Sequence, residues 1–193
     1  MLYRNKRDDF GMFCRRYGGL SSGIRKAYKR CRTLRKSAAF DAWSLDHIME
    51  AERFAEIFGC PVYAYEGEEN ILCDPVLNAS ATMLGQSYVF TKAEYVKADT
   101  QIETAGFQVE IIPTPGHTEG GCCYYIGEEH VLFSGDTLFH NSIGRTDLPT
   151  GSGSELVRSV REKLLVLPED TRVYPGHMEE TTISHEKKYN PFI

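Results

Sequence analysis

Phe133-Ser134-Gly135-Asp136-Thr137-Leu138-Phe139, followed by Ser142-Ile143-Gly144-Arg145-Thr146-Asp147-Leu148-Pro149, is the stretch on which the fold of this chain turns. Residues 130–133 are a short apolar run that predicts a strand, and Ser134-Gly135-Asp136 predicts the turn that ends it. Two further segments repeat the arrangement. Thr114-Pro115-Gly116-His117-Thr118 follows a strand predicted over 107–112, and Val173-Tyr174-Pro175-Gly176-His177 carries a strand predicted over 172–174. In each, a glycine beside the His or Asp lets the backbone turn sharply, so that a side chain at a strand end can point into a shared cleft. Imidazole nitrogen and carboxylate oxygen are the donors that suit zinc, iron or manganese. Asp46-His47 adds a fourth pair at the start of a predicted helix. Singly, each has an ordinary structural use: Pro-Gly-His and Ser-Gly-Asp-Thr as turns, Asp46 as an N-cap. Their occurrence together, in order and with long flanks, points to a metal site. His130 and His185 lack such flanks and read as surface residues; His140 lies near the expected cleft.

Outward from these segments the chain reads as α/β. Residues 46–58 place Ile48, Met49, Phe54, Ala55 and Phe58 near helical spacing, with Gly59 at the helix end. Pro61-Val62-Tyr63-Ala64-Tyr65 predicts a strand, 66–74 a polar helical stretch, and the region to about Lys97 a loop rich in turn residues. Residues 122–126 predict a strand joined to the next by the hairpin Gly127-Glu128-Glu129. Residues 154–167 predict an amphipathic helix with Leu156, Val157, Val160, Leu164 and Leu167 on one face and Ser152 or Ser154 as its cap. A last helix is predicted over 179–188.

The three motif segments, with the closing Asn190-Pro191-Phe192, resemble the glyoxalase II-like (hydroxyacylglutathione hydrolase-like) members of the metallo-β-lactamase superfamily over roughly residues 45–193. The resemblance implies an α/β (α+β) fold, an αββα sandwich with its metal site at one edge of two packed sheets. It implies a binuclear centre, with zinc as the expected metal and iron as the alternative. In the family, one metal takes the two leading histidines of a His-x-His-x-Asp-His motif and the histidine matching His117. The other takes the pair matching Asp46 and His47 and the histidine matching His177, and the aspartate matching Asp136 bridges both. Asp46 is thereby expected to serve catalysis as well as ligation. A metal-bound hydroxide attacks an ester or thioester carbonyl, and the metals stabilise the oxyanion. Arg145 and Asp147 are expected to brace the ligands, hold the cleft loop or meet substrate, since an arginine can grip a carboxylate with two parallel hydrogen bonds. Glyoxalase II proper carries a further C-terminal helical region for glutathione. This chain ends soon after His177, so the expected substrate is a small acyl or thioester molecule that need not be hydroxyacylglutathione.

The chain departs from that pattern at one decisive place. Ala42-Trp43-Ser44-Leu45-Asp46-His47 stands where His-x-His-x-Asp-His is expected, so two imidazoles are replaced by side chains that cannot replace them. Residues 1–44 hold 12 Lys/Arg against three Asp, a net of +9, whereas residues 45–193 carry a net of −14. The upstream segment also lacks sustained periodicity, reads as a poorly ordered basic arm, and omits the strand and aspartate turn that open the first sheet. Part of that sheet is therefore expected to be missing. A shifted reading frame over residues 1–44 joins these features. Phe40-Asp41-Ala42-Trp43-Ser44 can be encoded TTT-GAC-GCA-TGG-TCA, with Leu45 beginning in C, and one base later this reads Leu-Thr-His-Gly-His. Residues 13–23 can likewise be encoded to read Phe-Val-Val-Asp-Thr-Gly-Ala-Tyr-Pro-Pro-Ala. As written, low or no hydrolase activity is expected. Two alternatives accompany it: a mononuclear-iron enzyme like the persulfide dioxygenases, and a non-catalytic metal-binding remnant.

Composition bounds the remainder. With 41% hydrophobic and 25% charged residues and a net charge of −5, the chain is an ordinary globular one. No apolar run approaches the roughly 20 residues of a membrane span, and no signal-peptide pattern opens the chain. Six cysteines without a CxxC pair read as free thiols in a reducing cytoplasm. The basic segment lacks a recognition motif, so no nucleic-acid partner is expected.

Overall fold

The computed structural model of the chain describes residues 38–39, 61–83, 85–98, 100–104 and 106–193. The helix expected over 46–58, the ligand pair Asp46 and His47, and the boundary at residue 44 lie outside them. Strands β1 (Ala38–Ala39), β2 (Val62–Tyr65) and β3 (Ala93–Val96) make a small parallel sheet in that order. Strands β4 (Gln101–Thr104), β5 (Phe107–Pro113), β6 (Cys122–Ile126) and β7 (Val131–Gly135) begin a larger one. After the hairpin of β8 (Leu138–Phe139) and β9 (Ser142–Ile143), it is completed by β10 (Arg172–Pro175) and β11 (Thr181–Thr182). The order across the large sheet is β11-β10-β7-β6-β5-β4.

Residues of period two decide the layers. In β2, Val62 and Ala64 join Ile71, Leu72 and Phe90 under helix α1 (Glu69–Cys73), while Tyr63 and Tyr65 face the large sheet. In β6, Cys122, Tyr124 and Ile126 meet those tyrosines, and Cys123 and Tyr125 face the other way. That second face of the large sheet is covered by Val160, Leu164 and Ile183. Val160 and Leu164 extend helix α3 (Gly153–Ser159), and Ile183 opens helix α4 (Ile183–Tyr189); α2 (Ser80–Met83) is a single turn between α1 and β3. Helix, sheet, sheet, helix is the αββα arrangement expected. Both central strands, β6 and β7, are buried on both faces. Leu132, Leu156, Leu164 and Ile183 are fully buried, and each such side chain contributes about 1.5–3 kcal/mol.

Several elements differ from the sequence reading: the strands β4, β8, β9 and β11 were not expected, and the last helix, expected over 179–188, begins at Ile183 because Thr181–Thr182 pair with β10. The loop expected up to Lys97 contains β3, whose residues Ala93-Glu94-Tyr95-Val96 carry a weak pattern of their own and are held by pairing along β2 from Val62↔Ala93 to Tyr65↔Val96. The helix expected over 154–167 is α-helical only to Ser159 and then widens into a π turn, Val160–Leu164, closed by Leu165 N–H donating to Val160 O at 2.9 Å. The wider turn sets Val160 and Leu164 nearly in line on one face, and both are fully buried. Ser152 is the N-cap, its hydroxyl accepting from Glu155 N.

Candidate metal centre

Strand direction gathers the site. β5 is antiparallel to β6, β6 is antiparallel to β7, and β10 is parallel to β7. So β5, β7 and β10 run the same way and release their chains at the same edge of the sheet. The residues that follow are His117, Asp136 and His177, three of the five ligands expected from sequence. One backbone and one side-chain hydrogen bond lock the three turns together. Gly176 N–H donates to Gly135 O at 2.8 Å, and Thr114 Oγ1 meets Thr137 Oγ1 at 3.0 Å. The π turn and α3 grip the first of them. Ser152 N–H and Ser159 Oγ donate to Gly116 O and Pro115 O, and Lys163 Nζ donates to Pro113 O at 2.6 Å.

Glycine is required at two places. Gly116 sits at φ +140°, and a Cβ there would enter the backbone of Leu156. A Cβ on Gly144 would strike the carbonyl oxygen of Asp136 and come within 3.5 Å of His117 Nδ1. The turn at Asp136 uses a left-handed Gly135 (φ +48°) as expected, but at the third turn the left-handed residue is Met178 (φ +67°) and not Gly176.

The site closes on one carboxylate. His117 Nε2 lies 3.6 Å and His177 Nε2 3.5 Å from the same oxygen, Asp136 Oδ2. His117 and Asp136 are buried, at 3% and 5% exposure, while the His177 side chain is 45% exposed and forms the open side. His117 Nδ1 stands 2.8 Å from the carbonyl oxygen of Arg145. A carbonyl only accepts, so Nδ1 carries the proton and Nε2 presents its lone pair toward Asp136. That buried Nε2 has no hydrogen-bond partner among the described residues. Leaving such an atom unsatisfied costs about 1–3 kcal/mol. Two imidazoles converging on a carboxylate, one with an orphaned lone pair and its far nitrogen pinned by a carbonyl, fit a divalent transition metal. Asp46 and His47 lie outside the described residues.

Arg145 and Asp147 pair with each other, Arg145 Nε and Nη2 donating to Asp147 at 2.6 and 2.7 Å. This fork holds the Asp147 carboxyl down at about 2. Both side chains are exposed, and it is the backbone of Arg145 that orients His117. Sequence reasoning missed Glu68. It is fully buried beneath the His117 turn, and Thr118 Oγ1 donates to its Oε1 at 2.5 Å. Burial pushes its carboxyl up to about 7, with nearby Glu119 adding to the rise and the Thr118 bond opposing it. A glutamate in a polar helical stretch gave no signal of this; only the Gly120 turn packed against Gly67 and Glu68 reveals it.

Histidines outside the centre fall in two classes. His130 is a surface residue as expected, paired with Asp170 at 2.8 Å. His185 is instead half-buried, its Nε2 3.1 Å from that of His140.

The profile of the metallo-beta-lactamase superfamily matches residues 45–177. Hydroxyacylglutathione hydrolase GloC of Haemophilus influenzae is 35% identical over 152 residues, covering 77% of this chain and 71% of that one. The solved structure of BLEG-1 B3 metallo-beta-lactamase superposes with a TM-score of 0.77 at 36% identity, covering 88% of this chain and 82% of the other. TTHA1623, solved in a di-iron-bound form, gives 0.68 at 30% identity over 80% and 76% of the two chains.

Proposed function

The chain belongs to the metallo-β-lactamase superfamily, and from that premise we propose that it is a glyoxalase II-like hydrolase of thioester or related acyl substrates, with zinc as its metal. By membership it is an enzyme of the metallo-hydrolase class. The observation that carries the finer reading is the convergence of His117 Nε2 and His177 Nε2 on Asp136 Oδ2. The likeness to a hydroxyacylglutathione hydrolase supports the substrate class. When bound, the metal supplies Lewis acidity for a substrate carbonyl and a lowered pKa for water.

The chain's own residues do the positioning. Arg145 O fixes the His117 tautomer, and Asp136 sets its carboxylate between the two rings. Glu68 and Thr118 support the His117 turn from below. Half-exposed His177 leaves the site open to a substrate on that side, and the Arg145–Asp147 pair braces the loop whose carbonyl meets His117. With Ala42 and Ser44 in place of histidines, only part of the binuclear ligand set is supplied, and turnover is slow.

The test is hydrolysis of S-lactoylglutathione by the zinc-loaded chain. The expected result is slow turnover that a chelator stops, zinc restores and Asp136→Ala abolishes. No thioester hydrolysis at any metal loading, or hydrolysis indifferent to chelator and to Asp136→Ala, overturns the proposal. Iron is the second reading, supported by the di-iron form of a 30% identical structure and by the same donor set. Oxygen consumption by the iron-loaded chain with a persulfide would select that chemistry over hydrolysis.

A further inference from the structure

A second cluster of ligand-type side chains stands apart from His117, Asp136 and His177. His140 follows β8, His185 lies in the first turn of α4, and Glu186 is the next residue, fully buried. One ligand atom from each of the three lies within 4.8 Å of the others. The two Nε2 atoms are 3.1 Å apart. Two nitrogens bound to one zinc at about 2.0–2.1 Å in tetrahedral geometry are separated by roughly 3.3 Å, so the rings already stand at the spacing one cation requires.

The surroundings orient each ligand. His140 Nδ1 is 2.6 Å from Glu179 Oε1, so Nδ1–H donates to the carboxylate and Nε2 keeps its lone pair for the cluster. Glu186 is anchored by Asn141 N–H at 3.0 Å, Asn190 Nδ2 at 2.8 Å and Thr181 Oγ1 at 2.5 Å, which leaves Oε1 3.9 Å from His185 Nε2. Asn141, in the left-handed region at φ +55°, turns its Oδ1 to within 2.9 Å of the same nitrogen, so without a cation His185 Nε2–H donates to it, and a cation would displace that proton and find Oδ1 beside it as a further oxygen donor. A buried carboxylate beside two imidazoles, one of them oriented by the outer Glu179 carboxylate, is the donor set of a borderline divalent cation.

We propose that His140, His185 and Glu186 bind a divalent transition-metal ion, with zinc as the reference, that clips α4 to the β8–β9 hairpin. This rests on none of the residues assigned to hydrolysis. The clip joins the C-terminal helix to the hairpin whose Phe139 packs edge-on against His177, with ring centroids 6.2 Å apart.

The test counts bound zinc by equilibrium dialysis with the full chain. His140→Ala/His185→Ala is expected to hold one zinc fewer than the parent, and Asp136→Ala to retain the zinc that the double variant loses. An unchanged count in the double variant overturns the clip while leaving the hydrolase reading untouched. If the double variant does not fold, the unmodified chain decides. Saturating zinc should protect His140 and His185, but not the outlying His130, from diethyl pyrocarbonate, read by peptide mass spectrometry. Equal labelling of His140 and His185 with and without zinc overturns the proposal.

Discussion

At the scale of single residues, the centre depends on groups that do not touch the ligand atoms. Glu68 is the plainest case. Its folded-state pKa of about 7 stands above the ordinary carboxylate value, so between about pH 4.5 and 7 the unfolded chain gives up a proton that the folded chain keeps. Stability falls as pH rises through that window. Glu68→Gln keeps an acceptor for Thr118 and removes the ionisation, so the variant should gain stability over the parent at pH 8 and little at pH 5. The gain is on the order of 3 kcal/mol, from about 1.4 kcal/mol per pKa unit over the rise from 4.5 to about 7, and denaturant unfolding at the two pH values reads it. Equal stabilities at pH 8 would mean that burial does not raise the Glu68 pKa above its unfolded value. Arg145 gives a second case. Because its carbonyl rather than its guanidinium orients His117, Arg145→Ala should leave zinc per chain unchanged while releasing Asp147 from its low pKa. Loss of zinc in that variant would assign the guanidinium to the centre.

At the scale of elements, three strands of one direction and a gripping helix make the site. Leu164, in the π turn, has no exposure and helps cover the large sheet, so Leu164→Ala should cost about 2–5 kcal/mol in denaturant unfolding. Gly144→Ala should also destabilise, by about 1–3 kcal/mol, because its Cβ meets the Asp136 carbonyl. Unlike the leucine change, it should weaken zinc binding too. These elements were unevenly legible. The aromatic and apolar run 122–126 and the Gly-His and Gly-Asp turns predicted β6 and the strand ends at which His117, Asp136 and His177 stand. β3 was missed because its partners decide it, not its residues. The π turn was missed because apolar spacings of three and four fit α and π turns alike. Glu68 and the His140–His185 pair were missed because their meaning comes from residues about 40 to 50 positions away.

At the scale of the molecule, the superfamily is carried by residues 45–177 and the anomaly by residues 1–44. A net of +9 followed by −14, with Ala42 and Ser44 at the expected histidine positions, is the signature anticipated from a shifted reading frame. Sequencing the coding DNA across residues 1–50 should reveal, in the next frame, a His-x-His pair adjoining Leu45 and a hydrophobic strand upstream. Absence of both removes that explanation. Among the described residues no helix is long and apolar enough to cross a membrane. The central claim is that the carboxyl ends of β5, β7 and β10 form a metal centre on His117, Asp136 and His177. Its most direct measurement is zinc per chain, by mass spectrometry of the dialysed protein, in the parent and in Asp136→Ala. The predicted result is one zinc fewer in the variant with its fold retained by circular dichroism; an equal count in the two proteins would contradict it.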